Sequence, residues 1–124
     1  MVLADTSVWI RHFRQGLPTL ADRLGEGLVL VHPFVCGELA CGNLKNRAEI
    51  LSDLQALPAA RVASDAEAFR LIELHRLWGR GLGWVDVHLL ASALLSHCRL
   101  WTLDKKLEEA ATELGVNSGF ALSG

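Results

Sequence analysis

Short apolar runs alternate with helical patterns along this chain, and that alternation narrows the fold more than any other feature. The first run is Met1-Val2-Leu3-Ala4, the second Leu28-Val29-Leu30-Val31 and the third Leu100-Trp101-Thr102-Leu103. Arg61-Val62-Ala63 offers another short strand, and residues 116–122 a last edge strand. The intervening stretches read as helices. They cover 7–13, ended by Gly16; a segment opened by Leu17-Pro18; 33–42; 48–57, stopped by Pro58; 64–78; 84–97; and 105–114, followed by Gly115. Proline suits a first helical turn and glycine the position past a last one. Ser64-Asp65-Ala66-Glu67 has the spacing of a capping box. Strands joined through helices pair in parallel, with helices on both faces. The pattern predicts an α/β fold: a three-layer α/β/α sandwich around a central, mostly parallel sheet, with residues 1–124 as a single domain.

Composition supports an ordinary folded domain. The chain has 124 residues, 51% of them hydrophobic, enough to bury a core without disulfides or structural metal. The apolar stretch between Arg80 and Arg99 carries Asp86, two His and two Ser, and reads as a buried helix rather than a membrane span. The first strand begins at once, which leaves no room for a signal peptide. Three cysteines, Cys36, Cys41 and Cys98, form no even framework, so a reduced, cytoplasmic setting is expected. A net charge of −2 does not mark a nucleic-acid binder by bulk electrostatics.

Four acids stand alone in apolar surroundings. Asp5 is the only charged side chain among the first ten residues, and Glu38 is the only one between Pro33 and Gly42. Asp86 is alone between Arg80 and Arg99, and Asp104 ends the third apolar run. Helix capping accounts for Asp5, Asp86 or Asp104 taken singly, and Glu38 can reach solvent from its helix. Together they ask for more, because burying an unpaired carboxylate costs on the order of several kcal/mol. No basic residue lies inside these stretches to pair with them. A hard divalent cation such as Mg²⁺ takes oxygen ligands and is commonly shared with a substrate phosphate. That chemistry points to phosphoryl or phosphodiester transfer.

Asp5-Thr6-Ser7-Val8-Trp9, Glu38 on a helix, Asp86 leading Val87-His88-Leu89-Leu90-Ala91-Ser92-Ala93, and Thr102-Leu103-Asp104 at a strand end together resemble the PIN-domain ribonucleases. The size and the order of the acids are most similar to the VapC toxins of prokaryotic toxin–antitoxin pairs. The resemblance implies a three-layer fold and a Mg²⁺- or Mn²⁺-dependent endoribonuclease. Carried onto this sequence, it makes Asp5, Asp86 and Asp104 metal ligands, with Glu38 acting directly or through a water. Ser7 and Thr102, with Thr6, match hydroxyl positions that brace such a site. The implied reaction is in-line attack of water on an RNA phosphodiester, leaving a 5′-phosphate and a 3′-hydroxyl. It also implies a VapB-type antitoxin, often placing an Arg among the carboxylates, and a homodimer formed through helices.

Other residues carry weaker signals. Arg11, Arg14, Lys105 and Lys106 follow directly on Asp5 and Asp104 and can border the same cleft to hold phosphates. The five histidines lack zinc-site spacing, although His32 at a strand end can face the site. The cysteines read as small core residues. Trp9 and Trp101 read as core, and Trp78 and Trp84, flanking Gly79-Arg80-Gly81-Leu82-Gly83, as a partner surface or a loop near substrate. Two alternatives remain. One is another Mg²⁺-dependent phosphoryl-transfer enzyme, although a phosphatase of the Asp-x-Asp type would need an acid where Ser7 stands. The other is a non-enzymatic α/β interaction module whose acids are caps.

Overall fold

The computed structural model of the chain describes residues 1–120. The elements run β1 (Val2–Ala4), α1 (Thr6–Gln15), α2 (Pro18–Gly25), β2 (Val29–Leu30), α3 (Pro33–Cys41), α4 (Arg47–Gln55), α5 (Asp65–His75), α6 (Trp84–Leu95), β3 (Arg99–Trp101) and α7 (Lys105–Glu113). The sheet has the order β2-β1-β3, and both pairings are parallel. β1 is therefore central, which is why all three of its side chains are buried.

Two isolated parallel bridges widen the sheet. Val31 pairs with Ala59 beyond β2, and Leu100 pairs with Asn117 beyond β3. The expected strand at Arg61-Val62-Ala63 is not formed. The pairing falls at Ala59, where Val31 N–H donates to Pro58 O and Ala60 N–H to Val31 O, each at 2.9 Å. A proline that lacks an N–H still offers its carbonyl to one neighbour, so it suits this edge. At the other edge only 116–118 pairs with β3, and residues 121 and 122 of the expected strand lie outside the described residues.

Local signals set the helix ends. Gly16, at φ 72° and ψ 136°, takes a positive-φ conformation that L side chains rarely adopt, and its N–H donates to His12 O to close α1. Ser64 and Glu67 form the reciprocal capping box at the start of α5. α5 stops at His75, three residues before Trp78, because Arg76 turns left-handed at φ 52°. The most apolar helix, α6, buries Val87 through Ala93 without a break and packs chiefly against α5 and β3. No described helix is long and apolar enough to cross a membrane.

Leu3 sits fully buried in the central strand. Leu3→Ala is expected to lower unfolding free energy by about 3 kcal/mol in a urea titration, the cost of a cavity that a strand paired on both sides cannot close.

Candidate active site

The register of β1 against β3 places Ala4 opposite Trp101, and Asp5 N–H then donates to Trp101 O at 3.0 Å. The next residue of β3's chain, Thr102, thereby comes beside Asp5 from 97 positions away. Thr102 Oγ1 donates to Asp5 Oδ2 at 2.5 Å and accepts from the Asp104 N–H at 3.0 Å. Ser7 Oγ donates to Asp5 Oδ1 at 2.5 Å and accepts from the Leu103 N–H at 3.0 Å. Asp5 also caps α1, accepting from the Val8 N–H at 3.2 Å. Two hydroxyls thus lock Asp5 to the segment that carries Asp104.

The other acids are set in the same way. Asp104 caps α7 through Oδ1, which accepts from the N–H groups of Lys106 at 2.9 Å and Leu107 at 3.2 Å. Asp86 lies in the first turn of α6, and its Oδ2 accepts from the Gly83 N–H at 2.8 Å. Glu38 projects from α3, and its Oε1 accepts from Thr6 Oγ1 at 2.5 Å. Capping is therefore real for Asp5, Asp86 and Asp104. It consumes one oxygen of each terminal acid and leaves Asp86 Oδ1, Asp104 Oδ2 and Glu38 Oε2 without a hydrogen bond among the described residues.

Only Asp5, 6% exposed, is buried as the surrounding sequence suggests. Asp86 is half-buried, and Glu38 and Asp104 are exposed. Glu38 reaches solvent because α3 turns Gly37, Glu38 and Cys41 outward, so an apolar neighbourhood in sequence is not one in space. Burial pushes the Asp5 carboxyl up, against the lowering effect of its hydrogen bonds to Ser7, Thr102 and Val8. Burial also pushes Asp86 up. The Gly83 hydrogen bond opposes this, while the charges of Asp104 and Glu38 add to it. That mutual repulsion places Asp86, Asp104 and Glu38 in one electrostatic neighbourhood. The ion pairs of the described residues, Arg80 with Glu113 and His88 with Asp65, involve none of the four acids.

Among the described residues no three acidic, His or Cys side chains converge tightly enough to form a closed metal cage. An all-oxygen set of carboxylates, three of them with a free second oxygen and none with a basic partner among the described residues, still fits Mg²⁺ or Mn²⁺. Such ions keep several waters and need only one or two carboxylates from the protein. The same donors do not suit a structural zinc site, which wants four ligands including Cys or His.

The basic residues are placed unevenly. Arg14 lines an open groove of about 800 Å³ with Glu38, Leu39, Lys45 and Ile50. Arg11 is half-buried on α1, and Lys105 is exposed at the first position of α7. Neither of these lines that groove. Lys45 was not signalled by the sequence, because it falls in a polar break that resembles any other loop. Trp84 turns the other way. It and Asp86 are about 200° apart around the helix, and Trp84 packs on Phe69 of α5 and on His88, at 4.8 and 4.7 Å between ring centroids. Trp9 and Trp101 are core. Cys98 is buried, whereas Cys41 is exposed rather than core. His32 caps α3, its Nδ1 accepting from the Phe34 N–H at 2.9 Å, and burial, with the charge of His88, lowers its pKa to about 4.

A family model described as the PIN domain matches residues 2–113. The chain belongs to the PIN-domain family. Within it the relation is to the VapC type: the chain is 47% identical over 117 residues to Ribonuclease VapC32 of Mycobacterium tuberculosis, in each of two strains, covering 94% of both proteins. The crystal structure of PAE2754 from Pyrobaculum aerophilum has a similar fold, with a TM-score of 0.59 at 15% identity, covering 87% of this chain and 77% of that one. In this PIN domain the four acids come from the starts of α1, α6 and α7 and from the body of α3.

Because Asp86 is raised by burial and by like charge, its ionisation destabilises the metal-free fold. Its protonated form contributes stability at low pH, and that contribution is lost as pH rises through its folded pKa. Asp86→Asn keeps an acceptor for the Gly83 N–H and removes the repulsion. It is expected to raise the metal-free melting temperature at pH 7 by about 3 °C, with the gain lost as pH falls through the raised folded pKa of Asp86, as calorimetry across pH would show.

Proposed function

We propose that this PIN domain, acting as one domain in the cytoplasm, is a Mg²⁺- or Mn²⁺-dependent endoribonuclease and the toxin of a VapBC-type pair. The observation that carries the reading is the unpaired acid set around a hydroxyl-locked Asp5. Its support is the 47% identity to a protein named a ribonuclease. In this reading Asp5, Asp86 and Asp104 hold the cation, with Glu38 at its edge. When bound, the cation supplies Lewis-acid activation of water and neutralises charge that develops on the phosphodiester.

The protein's own groups then have separate tasks. Ser7 and Thr102 each donate to Asp5 and accept a backbone N–H of the 102–104 segment. They fix its carboxylate against rotation, which is the part supporting residues play around metal ligands. Thr6 holds Glu38 through one oxygen, leaving the other to take the proton of the attacking water. The new bond forms between the water oxygen and phosphorus as the P–O3′ bond breaks, and the departing O3′ takes a proton from solvent water, so the products are a 5′-phosphate and a 3′-hydroxyl. Arg14, with Arg11 and Lys105 further out, holds flanking phosphates as point charges that position RNA without reading its sequence. An unpaired acid cluster also suits a cationic inhibitor, so a VapB-type antitoxin that offers an Arg would neutralise the site. A homodimer through the helices completes the proposed assembly.

The capping geometry of three acids favours one rival, an interaction module in which these residues only end helices. Incubating purified protein with a small-RNA pool and Mn²⁺ separates the two. Discrete cleavage, abolished by chelator and by Asp5→Asn, is expected; an intact pool together with a melting temperature indifferent to Mn²⁺ would establish the module. Thr102→Val should lower the cleavage rate about 10- to 100-fold, and Thr102→Ser should restore most of it, in a single-turnover assay.

A further inference from the structure

The Gly79-Arg80-Gly81-Leu82-Gly83 connection enters α6 just ahead of Asp86, and α7 starts just after Asp104. Helix α6 packs mainly on α5 and β3, so its first turn takes little of its position from α7 directly. The connection has little stiffness of its own: Gly79 and Gly81 sit at φ 71° and 78°, in the left-handed region that glycine adopts freely. Yet it is held to α7 at two points. Arg80 Nη1 pairs with Glu113 Oε2 at 2.7 Å. One residue on, Gly81 lies under the side chain of Lys106, so closely that a Cβ there would stand 2.7 Å from Lys106 Cδ and 2.7 Å from its Nζ. Lys106 and Glu113 are two turns apart on one face of α7, so that face covers the connection. At the far end of the connection, the Gly83 N–H donates to Asp86 itself.

We propose that the 79–83 connection is a positioning strap. The Arg80–Glu113 pair and the Lys106 stem over Gly81 clamp it to α7, and through Gly83 it sets where Asp86 stands relative to Asp104. Arg80, Glu113 and Gly81 touch neither of these carboxylates, and Lys106 meets Asp104 only through its backbone N–H; the side chains act on cation binding by fixing a distance. The inference rests on the metal-dependent reading of the site above.

The test is a charge-exchange cycle on the full chain: wild type, Arg80→Glu, Glu113→Arg and the double exchange, with Gly81→Ala as an independent variant. Two readouts are taken, Mn²⁺ binding by calorimetry and the Mn²⁺ concentration for half-maximal RNA cleavage. Each single reversal should raise both midpoints about fivefold, the scale of an exposed ion pair, and the double exchange should bring both back to within about twofold. Metal-free melting temperatures should stay within about 2 °C of wild type, which separates positioning from general destabilisation. Gly81→Ala, forced to a positive φ, should raise both midpoints about tenfold. Wild type that binds Mn²⁺ and cleaves RNA, with single reversals whose midpoints do not move or a double exchange that restores nothing, overturns the strap and leaves the ribonuclease reading intact. Wild type that neither binds Mn²⁺ nor cleaves removes that reading, and the strap with it.

Discussion

Ala4 faces Trp101 in the parallel ladder between β1 and β3, so the first residue past each strand neighbours the first residue past the other. Asp5 and Thr102 meet for that reason and no other. Their hydrogen bond, and the Ser7 to Leu103 contact beside it, turn the carboxyl ends of two strands into one rigid ledge. The starts of α1 and α7 are both built on that ledge, and Asp5 and Asp104 cap those helices from it. A slip of one residue in the ladder would move Thr102 away from Asp5 and turn its side chain to the opposite face of the sheet. The buried apolar side chains of β1 and of Leu100 and Trp101 oppose such a slip.

The electrostatics around that ledge run one way. Asp104 and Glu38 each oppose the charge of Asp86, and Asp5 is ionised only against the resistance of burial. The nearest structural compensation is local: backbone N–H groups and hydroxyls on both oxygens of Asp5 and on one oxygen each of Asp86, Asp104 and Glu38. This arrangement satisfies helix ends and at the same time leaves a surplus of negative charge, so capping and cation binding are not competing explanations. At Asp86 and Asp104 the cap fixes the orientation of a carboxylate whose other oxygen remains available.

Much of this was legible in the sequence, and the reasons differ by residue. The three strands and the parallel order followed from apolar runs separated by helices, and Ser64 and Glu67 announced their helix start through spacing alone. Asp5 and Asp104 could be placed at strand ends because the apolar runs that precede them stop there. The extra edge pairing went to Ala59 rather than Arg61-Val62-Ala63, since a single bridge needs a geometric match and not a β-rich triplet. Burial was overread at Glu38 and Asp104: the apolar helix α3 still turns Glu38 to water, and Asp104 lies past the buried strand, at the exposed start of the charged helix α7. Lys45 in the groove carried no local signal, and Lys106, legible as a basic residue after Asp104, gave no sign that it lies over Gly81, because each owes its place to a segment distant in the chain.

The 97-residue separation between Asp5 and the hydroxyl that locks it has a consequence during synthesis. The first acid leaves the ribosome early and the last two, Asp86 and Asp104, late. At about 5–20 residues per second, the interval from Asp5 to Thr102 is about 5–20 s, and until it ends the central strand lacks one of its two partners. A nascent or prematurely terminated chain therefore holds carboxylates but no ledge to arrange them. Whatever this fold does to RNA, it can do only once the chain is free of the ribosome as far as Thr102 and Asp104.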